Sequence, residues 1–118
     1  MLIEAQQAAF DAIKVGEPIC TIDQAARRVI EKAGYGPYFI HRVGHGIGLS
    51  IHEAPSVDGQ NQDLILPGMY HSVEPGIYIP GEFGMRIEDD AYATEHGPLI
   101  LSEGMRRDLD YMILPFKK

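Results

Sequence analysis

The sequence predicts an α+β chain: two helices first, then a curved antiparallel sheet. Three observations carry this expectation. Apolar residues recur at helical spacing from Leu2 to Ala33 and stop doing so at Gly34. After Gly34, short apolar runs of strand length alternate with glycine, proline and polar residues. Thirteen glycines and eight prolines in 118 residues favour many turns over a helical bundle.

The first helix is expected over residues 2–14, with Leu2, Ala5, Ala9, Ala12 and Ile13 near one stripe and Glu4, Gln7 and Asp11 elsewhere. Gly16 and Pro18 stop it. A second helix should begin at Thr21, which stands three residues before Gln24 at capping-box spacing. Ala25, Ala26, Val29, Ile30 and Ala33 would be its buried stripe, with Gly34 as the stop. Residues 38–40 and 49–52 are short strand candidates around the glycine-rich loop 44–48. Residues 53–67, with Pro55, Gly59 and Pro67, read as a long loop. The two strongest strands are 69–79 and 85–94, joined by a turn at Pro80, Gly81, Glu82 and Phe83. Residues 99–101 add a last short strand and 108–118 a tail. The length suits a single domain over residues 1–118.

Composition narrows the partners. The net charge is −7 and no basic run exists, so nucleic acid and anionic membrane surfaces are poor candidates. No apolar stretch approaches the roughly 20 residues of a membrane helix, and the first residues lack a signal-peptide pattern. With Cys20 as the one cysteine, no intrachain disulfide can form, which points to a reducing cytoplasm.

Three of five histidines, His41, His45 and His52, fall within twelve residues. A lone histidine is more often a satisfied structural residue than a ligand. Here His45 lies between Gly44 and Gly46, where the backbone can come close to a ligand and take unusual dihedrals. If the two long strands form one hairpin centred on Gly81, residues whose numbers sum to 162 face each other, and Glu74 and Glu88 satisfy that sum. Facing Cβ atoms are about 4.5–5.5 Å apart, a distance at which like charges repel. A cation between the carboxylates relieves this, and so does a proton on one of them. Alternation sets Arg86 and Glu88 on one face, where they could equally be a solvated ion pair, although Val73, Ile77, Tyr78 and Ile87 suggest a more buried setting. One imidazole with two carboxylates suits manganese, cobalt, iron or zinc better than copper.

Three segments then resemble the M24 metallopeptidases of pita-bread fold, in their order and spacing. They are Gly44-His45-Gly46-Ile47-Gly48-Leu49-Ser50-Ile51-His52-Glu53, Ser72-Val73-Glu74-Pro75-Gly76-Ile77-Tyr78 and Gly84-Met85-Arg86-Ile87-Glu88-Asp89-Asp90. Within the family the chain is most similar to Xaa-Pro dipeptidase and aminopeptidase P, and residues 2–34 resemble the two helices before the histidine segment. The resemblance implies the C-terminal half of a pita-bread domain that hydrolyses bonds next to proline. It implies His45, Glu74 and Glu88 as metal ligands, with Glu74 also moving the proton of the attacking water. His52 would stabilise the tetrahedral intermediate, His41 would line the substrate pocket, and Arg86 would hold Glu88 or a substrate carboxylate. Manganese or cobalt is the expected metal, with zinc or iron as alternatives. In the family, two aspartates from a hairpin before the first helix complete a dinuclear centre, in which both metals share the developing charge. The chain starts at that helix, so an N-terminally truncated domain with an incomplete centre is expected. The alternative is a non-catalytic relative that binds a peptide or protein partner. A half-domain should also present an apolar face, and a homodimer is the expectation.

Overall fold

The computed structural model describes residues 1–105 and 108–115. Helix α1 runs over Leu2–Ala12 and α2 over Cys20–Lys32, followed by a 3₁₀ turn at Gly36–Tyr38. Seven strands follow: β1 Gly44–Gly46, β2 Glu53–Val57, β3 Tyr70–Val73, β4 Gly76–Ile79, β5 Phe83–Arg86, β6 Asp89–Thr94 and β7 Gly97–Ile100. A short helix α3, Leu109–Met112, lies in the expected tail. Residues 106, 107 and 116–118 lie outside the described residues.

Both helices form for the reason their apolar spacing gives, but their buried faces differ from expectation. In α1 the inward residues are Leu2, Ala5, Gln6, Ala9 and Phe10, so a polar Gln6 replaces Ala12 on that face. Gln6 is satisfied there because its Nε2 donates to the Val73 carbonyl at 3.2 Å. In α2, Ile22, Asp23, Ala26 and Ile30 point inward, while Ala33 is exposed. The Thr21–Gln24 capping box does not form. The helix begins one residue earlier, Thr21 Oγ1 donates to the Pro18 carbonyl at 2.7 Å, and Gln24 reaches across to the Gly59 carbonyl at 3.1 Å.

The helices pack on one face of a five-stranded sheet of order β2-β1-β3-β6-β7. Between them lies the core, with Ala5, Ala9, Ile22, Ala26 and Ile30 against Val43, Val57, Val73, Ala91 and Ala93. Strands β4 and β5 form a separate two-stranded ribbon. The two long predicted strands are therefore each cut in two, at Glu74-Pro75 and at Ile87-Glu88. Proline has no N–H for a ladder, which makes residue 75 a natural break.

The predicted hairpin register holds on both sides of the break. Gly76 faces Arg86 and Ile79 faces Phe83 in the ribbon, and Val73 faces Asp89 and Tyr70 faces Tyr92 in the sheet. All four pairs have residue numbers summing to 162. The 38–40 and 49–52 strand expectations fail. Residues 36–38 turn as a 3₁₀ helix and 49–52 are bends, because the strand pairing went instead to the predicted loops at 44–46 and 53–57.

Candidate metal centre

His45 sits in the middle of β1, between β2 and β3. Its glycine neighbours are there for close strand approach. A Cβ on Gly44 would run into the Ser72 carbonyl, and one on Gly46 into the Ala54 carbonyl. Neither glycine has a positive φ, so the unusual dihedrals expected here do not occur.

The pairing of Gly46 with His71 puts His45 beside Ser72, on the sheet face away from the helices. The His45 amide donates to Ser72 Oγ at 3.1 Å, and Ser72 Oγ donates to Glu74 Oε1 at 2.8 Å. The backbone of Glu74 is held too, its amide donating to the Val43 carbonyl at 2.7 Å. His45 and Glu74 are both buried and meet directly, Nε2 to Oε1 at 3.1 Å.

The state of His45 follows from its other nitrogen. Nδ1 lies 2.9 Å from the Gly46 carbonyl oxygen, which can only accept, so Nδ1 carries a hydrogen. In the neutral ring, Nε2 then turns a lone pair toward the Glu74 carboxylate. Two electron-pair donors at 3.1 Å require a proton or a cation to be held together. A backbone carbonyl on the far nitrogen is also the arrangement that orients metal-binding imidazoles.

Arg86 spans the two glutamates, with Nη1 3.4 Å from Glu74 Oε2 and Nε 3.9 Å from Glu88 Oε2. Glu88 is on the rim, its side chain about half exposed. Burial, and after it the facing charge of Glu74, push its carboxyl above the usual range, while Arg86 pulls the other way. The repulsion expected from the register is therefore felt at Glu88.

His52 is exposed, and its ring stands 4.5 Å from that of His45. His41 is apart from this pair. It packs edge-on against Phe39 and Tyr78 at 5.2 and 5.5 Å, and its buried Nε2 has no partner among the described residues. The structure thus brings His45, His52, Glu74, Arg86 and Glu88 together and sets His41 beside Gly76 and Tyr78.

Three features near the site were not read from the sequence. Ser72 links His45 to Glu74, yet a serine on a strand gives no distinguishing signal. His71 is fully buried on the helix side of β3, where only its alternation with Val73 could have placed it. Asp23 and Arg27, one helical turn apart on α2, form a fork at 2.8 and 3.1 Å. Their i,i+4 spacing was a usable signal.

The donors fit a divalent cation in kind, since an oriented imidazole meets a buried carboxylate with a second carboxylate nearby. They do not yet make a complete cage: among the described residues no three His, Cys, Asp or Glu side chains converge as one would.

An oriented imidazole against a buried carboxylate is a donor pair of the kind hydrolytic metal sites use. The chain belongs to metallopeptidase family M24, whose model matches residues 1–95. It is 50% identical over 115 residues to an Xaa-Pro dipeptidase of Lactobacillus helveticus, covering 97% of this chain and 30% of that protein. It is 54% identical over 93 residues to the Xaa-Pro dipeptidase of Lactobacillus delbrueckii subsp. lactis, covering 79% of this chain and 25% of the other. The prolidase from Pyrococcus furiosus superposes with a TM-score of 0.84 at 44% identity, over 89% of this chain and 31% of that one. The fold is thus that of the pita-bread peptidases, and the chain spans between a quarter and a third of these relatives.

Proposed function

We propose that these residues form part of a divalent-metal-dependent peptidase that cleaves peptide bonds next to proline. The observation that carries the reading is the 3.1 Å contact of His45 Nε2 with Glu74 Oε1, two donors that a cation would satisfy together. The identity with Xaa-Pro dipeptidases supports the substrate class.

In this reading His45, Glu74 and Glu88 hold the metal, manganese or cobalt before zinc or iron. The metal, when bound, polarises the scissile carbonyl and lowers the pKa of water. Glu74 takes the proton of the attacking water. His52, exposed beside His45, donates a hydrogen bond to the oxygen that gains charge. His41 lines the pocket for the peptide, and Arg86 fixes Glu88 or a substrate carboxylate. Completing a dinuclear centre takes two more carboxylates of the kind the family resemblance implies. A reducing cytoplasm suits the single buried thiol of Cys20. A homodimer suits the exposed apolar side chains of Leu49, Ile51, Phe83 and Met85.

The test is metal content. Chelator-stripped protein is reloaded with manganese or cobalt and analysed for metal beside a Glu74→Ala/Glu88→Ala variant. Near-stoichiometric metal in the native protein alone supports the reading, and assays on proline-containing dipeptides follow. If the native protein retains none, the remaining reading is the non-catalytic one, a fold relative that binds a peptide or protein partner.

A further inference from the structure

Residues 39–43 carry His41 and lead into the strand of His45, yet they belong to no strand themselves. Something other than a ladder must hold them. We propose that Asp23 and Arg27 of α2 are positioning residues, which set His41 and His45 in place relative to Glu74 from the helical layer. The proposal deepens the peptidase reading and rests on it for its meaning, though not for its geometry.

Arg27 uses all three nitrogens of its guanidinium. Nε and Nη2 donate to the two oxygens of Asp23, at 2.8 and 3.1 Å. Nη1 donates to the Phe39 carbonyl and Nη2 to the His41 carbonyl, both at 2.9 Å. The guanidinium carbon lies 4.1 Å from the centre of the Phe39 ring. Asp23, fully buried, accepts from the Val43 amide at 2.9 Å. Alternate residues 39, 41 and 43 are thus bonded along one edge, as a neighbouring strand would bond them. Two side chains replace that strand.

The connection continues to the carboxylate. The Val43 carbonyl accepts from the Glu74 amide at 2.7 Å, so one residue separates Asp23 from the Glu74 backbone. His45 is two residues beyond Val43. A shift of the Asp23–Arg27 pair therefore moves the histidine segment against Glu74, where small displacements lose metal affinity. Lysine cannot replace Arg27 here, because a single ammonium cannot donate to Asp23 and to two carbonyls in this fork while covering Phe39.

A merely structural tether predicts lower stability and nothing else, so the experiment compares two variants of the same helix. Arg27→Lys disturbs the pair. Gln24→Ala removes a different α2 side-chain bond, to the Gly59 carbonyl, and leaves those to residues 39, 41 and 43 in place. Each is read by manganese affinity in titration calorimetry and by the imidazole ¹H–¹⁵N signals of His41 and His45 in metal-free protein. Arg27→Lys should weaken manganese binding about tenfold and shift both imidazole sets, while Gln24→Ala leaves both readouts at native values. The proposal is overturned if Arg27→Lys melts lower but keeps native affinity and imidazole signals, or if Gln24→Ala moves them as much. Should native protein bind no manganese, the peptidase reading fails on its own, and the imidazole comparison still decides the positioning. If Arg27→Lys does not fold, Asp23→Asn, which retains an oxygen for the Val43 amide, gives the same two readouts.

Discussion

Burial favours the neutral form of both Glu88 and His71, so it shifts their pKa values in opposite directions. Burial and the Glu74 charge raise the Glu88 carboxyl, so the folded protein keeps that proton to higher pH than the unfolded chain. The contribution of Glu88 to stability is then full below the unfolded carboxyl pKa and lost as pH rises through the folded one. At pH near 7, above the unfolded carboxyl value, Glu88 therefore works against the metal-free fold. Glu88→Gln should raise the melting temperature of metal-free protein at that pH and abolish any further rise on adding manganese. A lower melting temperature for the variant would contradict this. His71 runs the other way: burial depresses its imidazole, which the Ser72 carbonyl and the Asp90 charge only partly offset. Its neutral form suits the fold above the unfolded value of about 6.5, and stability is lost as pH falls from there toward the depressed folded value. Urea denaturation at several pH values should show that acid-side loss in native protein and a shallower one in His71→Gln.

The elements differ in how plainly they could be read. Apolar spacing placed both helices to within about two residues, as is usual for such boundaries. The Gly81 turn and the alternation around it gave a register that holds in both sheets, and with it the closeness of Glu74 to Glu88. Strand β1 was illegible because its glycines carry no apolar pattern; their reason is a neighbour's carbonyl, which is a tertiary fact. Strand β2 was hidden by Pro55 and by outward residues at 53 and 54. The capping box misled because Thr21 found a nearer acceptor in Pro18. His45, Glu74 and Glu88 were visible as a set, whereas Ser72 and the Asp23–Arg27 fork depend on packing. Glycine substitutions separate the two uses of that residue. Gly44→Ala, which forces a methyl onto the Ser72 carbonyl, should cost about 3 kcal/mol by urea midpoint. At Gly81 nothing lies near an added Cβ, and alanine meets only a φ of +76°, at a cost of about 1 kcal/mol. Equal losses at the two sites would refute this division.

At the scale of the whole molecule, apolar surface sits on several faces. Phe83 and Met85 lie exposed on the ribbon, Leu49 and Ile51 on the bends before β2, and Leu99 and Leu101 at the far edge. Among the described residues no helix is long and apolar enough to cross a membrane. Exposed apolar patches of this kind suit contact with another protein surface. Self-association is the expected outcome, and sedimentation should give a mass that rises with concentration toward a dimer. Phe83→Glu/Met85→Glu should weaken it at least tenfold if the ribbon takes part, and a strictly monomeric native protein would exclude it.

The shared register of ribbon and sheet gives the distant hairpin tip a hold over the proposed chemistry. Gly81 touches neither carboxylate, yet counting outward from it in both directions arrives at Glu74 and Glu88 together. The tip works as a ruler whose zero mark lies outside the measured object. A single residue inserted there must either loop out or advance one arm by a step, in which case Glu74 would face a different neighbour while every side chain of the site remained in the sequence. Length at the tip, as much as the identity of any ligand, decides whether the two carboxylates meet.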